Sequence, residues 1–283
     1  MEDRLKHVLD ELVKSRPPVD DPARRGREAI VVEDLGKIYA DGTEAVRGVT
    51  FRVAAGECYG LLGPNGAGKS TTVGMLGTLV RPTSGRARVA GLDVVGQPRE
   101  VRRRIGLAMQ DAGIDAFATA RELLVLQGRL HGLRRGESMR RAQLLLAMVD
   151  LVAVGNKRLG EFSGGMQRRV DLAASLMHLP AVLFLDEPTE GLDPRARAAI
   201  WDALDRLREQ LGVTVVLTTH YMEEADRLCD RLGIIDHGSV VIEGTPGALK
   251  ASVGSGSLED VYLRYTGHDF SGSQDAFVME KAA

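Results

Sequence analysis

A glycine-rich segment is the part of this sequence whose residue types and spacing are best suited to binding phosphate. Residues 63–70 follow the pattern G-x-x-x-x-G-K-[ST], between an apolar run that predicts a strand and the start of a predicted helix. Glycines allow backbone N–H groups to surround phosphate oxygens, and the helix dipole favours their negative charge. Lys69 is expected to reach the β- and γ-phosphates, and Ser70 to ligate Mg²⁺. The predicted nucleotide-binding residues of this segment are Gly63, Pro64, Asn65, Gly66, Ala67, Gly68, Lys69, Ser70 and Thr71.

A second set of candidate groups follows the apolar run Val182–Leu185, which predicts a strand buried on both faces of a parallel sheet. Asp186, directly after this run, would bring a carboxylate to the metal bound by Ser70. Glu187 can orient and deprotonate a water molecule for in-line attack on the γ-phosphate. Taken alone, the Asp-Glu pair before Pro188 could instead cap a turn, but its combination with the phosphate-binding segment favours catalysis.

The segment 162–167, which reads FSGGMQ, narrows the class of nucleotide-using protein. Ser163, Gly164 and Gly165 place a hydroxyl and two glycines at the start of a predicted helix, an arrangement that can hold a second anion. With this segment, residues of about 29–266 resemble the ATP-binding subunit of ABC transporters, with the diagnostic motifs in family order. The resemblance implies that these residues contact the γ-phosphate of ATP held by a second copy of the chain. Two ATP molecules would then lie between the copies in a head-to-tail dimer.

The same resemblance implies roles for three further side chains. Tyr39 would stack on the adenine ring, Gln110 would contact Mg²⁺ and the attacking water, and His220 would contact the γ-phosphate. Gln110 would also connect the helical part of the protein to the state of the nucleotide. Two positions depart from the family pattern: Met166 stands where glutamine is most common, and Glu190 stands where small residues are commoner. The sequence itself provides no physical account of Glu190.

These residues need a scaffold of strands and helices, and the hydrophobic pattern predicts one. Short β-like runs separated by turn residues occupy about 29–62, and a helix follows Gly68 to about Val80. Residues of about 115–178 are predicted to be helical, and from Ala181 strands and helices alternate again. The pattern therefore predicts an α/β core interrupted by a helical insertion.

The family resemblance makes this architecture more specific. It implies a P-loop NTPase core with a mainly parallel sheet, an antiparallel β subdomain and an inserted α-helical subdomain at about 115–178. The ATPase domain is expected to comprise residues 29–267. Residues 1–28, which are rich in charges and contain two adjacent prolines, are expected to form an extension or linker, and 268–283 a flexible C-terminal tail.

Composition limits the classes of protein to which the chain can belong. The 283 residues are 44% hydrophobic, so a sizeable core can form, and 37 basic against 39 acidic residues leave a net charge of −2. This balance argues against a dedicated nucleic-acid binder, so we expect no nucleic-acid partner. No apolar stretch approaches the ~18–20 residues of a spanning helix, and the charged first residues lack the apolar run of a secretory signal. The two cysteines fit a reducing compartment, and we expect a cytoplasmic protein.

Because no spanning helix is predicted, the resemblance implies a separate integral membrane permease as partner. The chain would then lie peripherally on the inner face of the cell membrane. Three stretches, 162–166, 218–226 and 258–264, resemble the drug and antibiotic exporter branch and are similar to daunorubicin-resistance ATPases. The implied function is ATP hydrolysis that powers export of a drug, antibiotic or other hydrophobic molecule through the permease.

A soluble ABC-type ATPase of DNA repair, chromosome structure or translation is the alternative from a different class. Repair and chromosome members separate their nucleotide motifs by long coiled coils, and no heptad pattern lies between Lys69 and Ser163. Translation members usually carry two cassettes per chain, whereas this sequence carries one. A third alternative, a regulatory nucleotide-binding module without turnover, is disfavoured because Gln110, Glu187 and His220 are all present.

Overall fold

The computed structural model describes residues 28–109, 115–254 and 256–269. Its strands are β1 (Glu28–Ile38), β2 (Glu44–Ala54), β3 (Cys58–Leu62), β4 (Ser84–Val89), β5 (Leu92–Asp93), β6 (Ile105–Ala108), β7 (Val182–Asp186), β8 (Thr214–Thr219), β9 (Arg231–Asp236) and β10 (Ser239–Gly244). Its α-helices are α1 (Lys69–Leu76), α2 (Pro98–Arg102), α3 (Ala120–Leu130), α4 (Arg135–Met148), α5 (Gly164–Ser175), α6 (Pro194–Leu211), α7 (Met222–Leu228), α8 (Pro246–Ser252) and α9 (Leu258–Thr266).

A six-stranded sheet forms the centre of the molecule, with strand order β10-β9-β3-β8-β7-β6. Strands β9, β3, β8, β7 and β6 are parallel, and β10 pairs antiparallel with β9 at one edge. Every residue of β3, β7 and β8 is buried, as expected for the central strands of a parallel sheet covered on both faces. The carboxyl ends of these three strands lie together, and the segment 63–70, Glu187 and His220 follow directly after them.

A second sheet of four antiparallel strands, ordered β2-β1-β4-β5, covers one face of the central sheet. Phe51 of β2 is buried in a core that also contains Val182 and Phe184 of β7. Leu183 and Leu185, which alternate with these residues, belong to the core on the opposite face, beneath the helices. The alternation of β7 thus divides the interior of the protein into two cores.

Helices α3, α4 and α5 occupy the chain between β6 and β7. Leu124 of α3, Leu145 of α4 and Val170 of α5 are fully buried in the core on the helical face. Helix α5 begins at Gly164, with Ser163 as its N-terminal cap. The helical part therefore positions the FSGGMQ segment against the central sheet.

The predicted α/β class with a mainly parallel sheet is confirmed, but some element boundaries differ from the prediction. Helix α1 ends at Leu76 rather than near Val80, because the N–H groups of Leu79 and Val80 both donate to the carbonyl of Gly74. Thr78 adopts a φ of 62°, which is incompatible with a continuing α-helix. Strands β4 and β5 were not predicted, since β4 reads SGRARV and buries two of its residues, so its hydrophobic pattern is weak.

Several predictions concern residues outside the described ranges. They are the N-terminal extension up to residue 27, the role of Gln110, and the C-terminal tail after residue 269. Within residues 28–109, 115–254 and 256–269, no helix has both the length and the apolar character needed to cross a membrane.

Candidate active site

The phosphate-binding segment connects the buried end of β3 to the start of α1. A Cβ atom on Gly63 would lie 2.2 Å from the carbonyl oxygen of Ile235 in β9, and one on Gly68 would lie 2.5 Å from that of Ala45 in β2. Gly68 also has a φ of 102°, a left-handed conformation that favours glycine. Close backbone contacts with β9 and β2 therefore explain why these two positions are glycine.

This segment borders an open cleft of about 400 Å³. The residues that line the cleft include Asn65, Lys69, Ser70, Thr71 and Glu187. The lining combines backbone N–H groups at a helix N-terminus with an ammonium, two hydroxyls and a carboxylate. Such a set of groups suits a polyanion that also carries a divalent cation.

Tyr39, the predicted adenine-stacking residue, follows the end of β1. Its hydroxyl lies 3.3 Å from Oγ1 of Thr71, which lines the cleft. The Tyr39 side chain is partly exposed, and the ammonium of Lys37 lies 5.1 Å from the centre of its ring. The aromatic ring is therefore close to the cleft and accessible for stacking.

Lys69 is almost fully buried despite its charge. Its ammonium donates to the carbonyl oxygens of Gly63 at 2.7 Å and Pro64 at 3.0 Å, and it forms an ion pair of 3.0 Å with Oε1 of Glu187. The ion pair compensates for the loss of water around both groups. The loop thus holds the ammonium at a fixed position in the cleft.

Ser70 and Asp186 are brought together from different elements. The hydroxyl of Ser70 donates to Oδ1 of Asp186 at 2.9 Å, and the hydroxyl of Thr218 in β8 donates to the same oxygen at 2.5 Å. Hydroxyl and carboxylate oxygens are ligands that Mg²⁺ prefers. The donor set of Ser70 and Asp186 therefore fits this ion.

Glu187 connects the charged groups of the cleft. Its backbone has a φ of 47°, unusual for a residue with a side chain, and its N–H donates to Oγ1 of Thr218 at 3.0 Å. Nδ1 of His220 lies 3.1 Å from Oε2 of Glu187. Burial alone would raise the pKa of Glu187, but the hydrogen bond from His220 and the charge of Lys69 lower it to about 2. The carboxylate therefore stays ionised at neutral pH.

The structure provides a physical account of Glu190. Its backbone N–H donates to the carbonyl oxygen of Glu187 at 3.2 Å, and the two side chains are hydrogen-bonded to each other. Burial raises the pKa of Glu190, and the hydrogen bond and negative charge of Glu187 raise it further. Glu190 is therefore the member of the pair that takes up a proton more readily. Sequence reasoning missed this contact because it depends on the turn after β7.

The predicted second anion site lies at the start of α5. The hydroxyl of Ser163 accepts a hydrogen bond from the N–H of Met166 at 3.3 Å. A Cβ atom on Gly165 would lie 2.7 Å from Cβ of Ala196 in α6, so this position requires a small residue. Among the described residues that line the phosphate cleft, none belongs to 163–165. Within one chain, the two predicted anion sites do not share a cleft.

Arg168 is a residue of this region that sequence reasoning missed. Its guanidinium donates to the carbonyl oxygens of Met109 at 2.7 Å, Asp186 at 2.5 Å and Pro188 at 3.1 Å. It thereby connects α5 to the ends of β6 and β7. The available signal was its position four residues before Leu172, which places both residues on the same face of the helix.

A second cleft, which we call the lateral groove, has a volume of about 460 Å³ and lies between the chain after α1, strand β6, and helices α3 and α5. The residues that line it are Gly77, Leu79, Arg102, Ile105, Leu107, Ala108, Met109, Leu123, Gln127, His131, Asp171, Ala174, Ser175 and His178. Half of these fourteen residues have apolar side chains, and Leu79 is 57% exposed. The groove is therefore chemically unlike the phosphate cleft.

Asp171 and His178 of the lateral groove have strongly shifted pKa values. Burial raises the pKa of Asp171 to about 6, and the charge of Arg168 opposes this shift without cancelling it. Burial and, to a smaller extent, the nearby His131 lower the pKa of His178 to about 4. The two imidazole rings are stacked with their centres 3.8 Å apart. Burial in the groove thus shifts both pKa values towards the neutral form, and it keeps His178 uncharged at neutral pH.

The sequence profile of the ABC transporter family matches residues 46–190. The chain belongs to this family. It is 50% identical over 230 residues to the daunorubicin/doxorubicin resistance ATP-binding protein DrrA of Streptomyces peucetius, an alignment that covers 81% of this chain and 69% of that protein. It is 40% identical over 247 residues to the linearmycin resistance ATP-binding protein LnrL of Bacillus subtilis, covering 87% and 76% respectively. The dimeric structure of a post-hydrolysis ATP-binding cassette with ADP and phosphate matches with a TM-score of 0.70 and 28% identity, over 76% of this chain and 98% of that one.

The ABC transporter assignment confirms the predicted class of protein. The matched residues 46–190 contain the phosphate-binding segment, the FSGGMQ segment and the pair Asp186-Glu187. The resemblance to the daunorubicin-resistance branch is also confirmed. The protein is an ATP-hydrolysing subunit of an ABC transporter, and the alternative of a DNA-repair or translation ATPase is disfavoured.

Proposed function

We propose that this ABC transporter subunit hydrolyses ATP with Mg²⁺ in the cleft beside the phosphate-binding segment. The observation that carries the proposal is the convergence of Lys69 and His220 on Glu187, whose carboxylate lies 3.0 Å from the ammonium and 3.1 Å from Nδ1 of the imidazole. They come from α1 and from the turns after β7 and β8, so the fold assembles a cation, a base and an orienting imidazole. The accessible ring of Tyr39 supports adenine stacking at the rim of the cleft.

In this proposal, each polar side chain of the cleft has a defined task. Phosphate oxygens compete with Glu187 for the ammonium of Lys69, which weakens the positive field that lowers the Glu187 pKa. The Glu187 carboxylate then becomes a better acceptor for the proton of the attacking water. His220 keeps this carboxylate oriented through its hydrogen bond to Oε2. Ser70 and Asp186 would hold Mg²⁺, which when bound would supply positive charge beside the β- and γ-phosphates.

Metal dependence tests the proposed chemistry. We expect phosphate release by the purified chain to require Mg²⁺, and Asp186→Asn to raise the Mg²⁺ concentration that is needed. Asp202→Asn, on the exposed face of α6, is the matched control and should behave as wild type. Hydrolysis that persists in EDTA, or an unchanged Mg²⁺ requirement in Asp186→Asn, would show that the metal role is assigned wrongly.

We further propose that two copies of the chain bind ATP between them, head to tail. Support comes from the absence of residues 163–165 among the described residues that line the phosphate cleft, so a second copy would supply them to it. The rate of hydrolysis should then rise more than linearly with protein concentration. A strictly linear dependence over a wide dilution range, with a monomer in light scattering, would contradict this arrangement.

The proposed membrane partner is a separate integral permease, one of whose apolar cytoplasmic helices would occupy the lateral groove. The seven apolar side chains of the lining, among them the exposed Leu79, support this choice of occupant. Contact with the permease would hold the chain at the inner face of the cell membrane. Leu79→Asp should abolish stimulation of hydrolysis by the permease in proteoliposomes, whereas Leu263→Asp, exposed on α9, should keep it. Equal stimulation of both variants would exclude the groove as the docking site.

The proposed cargo is a drug, an antibiotic or a similar hydrophobic molecule, moved outward. Support comes from the similarity to proteins named for resistance to daunorubicin, doxorubicin and linearmycin. If the adjacent gene encodes a permease, co-expression of the two should increase the resistance of a sensitive host, and Glu187→Gln in this chain should abolish the increase. If the adjacent gene encodes a solute-binding protein, or resistance is unchanged, the export assignment is wrong.

A further inference from the structure

Three potential metal ligands meet on the side of the protein that carries the C-terminal helix. Asp236 ends β9, His237 follows it in the two-residue turn before β10, and His268 lies just beyond α9. One ligand atom from each residue lies within 4.8 Å of the others. His268 is distant in sequence from the other two, so the packing of α9 brings the three together.

The carboxylate of Asp236 is oriented by its neighbours. Its Oδ1 accepts a hydrogen bond of 3.1 Å from the hydroxyl of Tyr262, a buried residue of α9. Its Oδ2 lies 3.2 Å from Nε2 of His268 and 3.9 Å from Nε2 of His237. One oxygen is thus held by the protein, and the other is directed at both imidazoles.

The ring of His268 also has the contacts expected of a metal ligand. Its Nδ1 lies 3.4 Å from the carbonyl oxygen of Asp269, while its Nε2 points towards Asp236. Ligating imidazoles commonly donate their second nitrogen to a carbonyl or carboxylate, which sets the orientation of the ring. The hydrogen bond from Tyr262 to Asp236 supplies the corresponding support for the carboxylate.

The spacing of the ligand atoms suits a small tetrahedral ion. Zinc forms bonds of about 2.0–2.1 Å to histidine nitrogen and carboxylate oxygen, and tetrahedral geometry then separates neighbouring ligand atoms by about 3.3 Å. The observed 3.2 Å and 3.9 Å need only small side-chain movements. Two nitrogens and one oxygen also favour zinc or a similar transition metal over Mg²⁺ or Ca²⁺, which prefer oxygen.

We propose that Asp236, His237 and His268 form a binding site for a divalent transition metal of the zinc class, separate from the Mg²⁺ and ATP site. Three protein ligands leave the fourth tetrahedral position to water. The exposure of both histidines allows a metal to enter from solvent, and the burial of Asp236 fixes the position of the carboxylate. The metal would link the chain just after α9, through His268, to the β9–β10 turn, through Asp236 and His237.

This turn also contacts the nucleotide cleft. The N–H of Gly238 donates to the carbonyl oxygen of Ala67 at 3.0 Å, and its own carbonyl accepts from the N–H of Arg47 at 2.7 Å. Ala67 belongs to the phosphate-binding segment. A metal bound to His237 would therefore stabilise a turn that supports that segment from behind.

Zinc titration of the chelator-treated full chain tests the proposal. The buffer contains excess Mg²⁺, so that the oxygen ligands Ser70 and Asp186 are occupied, and no nucleotide. We expect one zinc per chain, a rise in Tm on binding, and the visible absorption of a tetrahedral site when Co²⁺ replaces zinc. His268→Ala and His237→Ala should each weaken zinc binding by at least about tenfold and abolish the Tm shift.

The matched control is His131→Ala, which removes an exposed histidine from the lateral groove, on a different part of the surface. It should bind zinc as wild type does. Because His268 is exposed and lies beyond α9, His268→Ala should fold normally, which the Tm without metal will show. Failure of wild type to bind zinc, or equal affinity in all three variants, would overturn the proposal.

Tyr262→Phe separates a positioning role from ligation. It removes the hydrogen bond to Oδ1 but keeps all three ligands and the buried ring. We expect one zinc per chain with a lower affinity, unlike the ligand variants, and an altered Co²⁺ spectrum. A Tyr262→Phe protein that matches wild type in affinity and in spectrum would contradict the proposed orientation of Asp236.

Discussion

The phosphate cleft and the lateral groove treat buried charge in opposite ways. In the cleft, burial of Glu187 is outweighed by His220 and Lys69, and its pKa falls to about 2. In the groove, burial dominates and raises the pKa of Asp171 to about 6. His178 follows the same rule with the opposite sign, since burial lowers its pKa to about 4.

The difference follows from where the compensating charges are directed. In the cleft, the ammonium of Lys69 faces Glu187 directly at 3.0 Å. In the groove, the charge that lowers the pKa of Asp171 is that of Arg168. Its guanidinium, however, donates its hydrogen bonds to three backbone carbonyls. A site that holds fixed charges suits a charged substrate, whereas a site in which burial destabilises charge suits an apolar partner surface.

We expect the largest effect, on the rate of ATP hydrolysis, from removing the ionised carboxylate of Glu187. Glu187→Gln should lower turnover by roughly 10²–10⁴-fold, since it removes the proton acceptor. Nucleotide binding should persist because Lys69 and the loop remain. Phosphate release and nucleotide titration measure the two quantities, with the exposed Glu209→Gln of α6 as control. Wild-type turnover in Glu187→Gln would show that another group positions the water.

The next largest effect is expected on ATP affinity, from removing the ammonium of Lys69 that pairs with Glu187. Lys69→Ala should weaken ATP binding by about 10- to 100-fold, as expected for loss of a charged hydrogen-bond donor worth about 1.5–3 kcal/mol. Equilibrium titration with a fluorescent ATP analogue measures it, and Lys157→Ala, on the exposed surface, serves as control. If both variants bind equally well, the ammonium does not contact the phosphates.

In the groove, removing a charge should stabilise the protein. Asp171 keeps its proton in the folded state up to about pH 6 but loses it near 3.8 when unfolded, so its contribution to stability falls as pH rises through this window. Asp171→Asn should therefore increase the free energy of unfolding by about 1–2 kcal/mol near pH 8 and leave it unchanged near pH 4, allowing for partial solvent screening. Urea unfolding at both pH values tests this, and a loss of stability near pH 8 would contradict it.

Substitution of His178 should change the free energy of unfolding by a smaller amount, and the pH dependence has the opposite sign to that of Asp171. Its folded pKa of about 4 lies below its ordinary value of 6.5, so the unfolded chain binds the extra proton and stability rises with pH between these values. His178→Gln should flatten this rise by about 1 kcal/mol between pH 5 and 7. The same unfolding series measures it, and an unchanged slope would mean that His178 is not held neutral in the groove.

The phosphate cleft could be predicted from the sequence because its residues lie at short, characteristic spacings in the chain. The glycines around Lys69 specify a loop between strand and helix, and β7 ends where the carboxylate is needed, at Asp186. The start of α6 has an equally local signal, because Asp193 caps a helix whose first residue is Pro194. The groove was not located, since its lining comes from segments scattered over about a hundred residues of chain.

The sequence alone determined the nucleotide class, the family and the order of the main elements, because each depends on short-range patterns of glycine, charge and hydrophobicity. Only the tertiary structure decided that Glu190 shares a hydrogen bond with Glu187, that Arg168 joins β6 to β7, and that His268 meets Asp236. These contacts depend on how turns close and how helices pack on the sheet. Residues far apart in the chain acquire their environment, and therefore their charge state, from that packing.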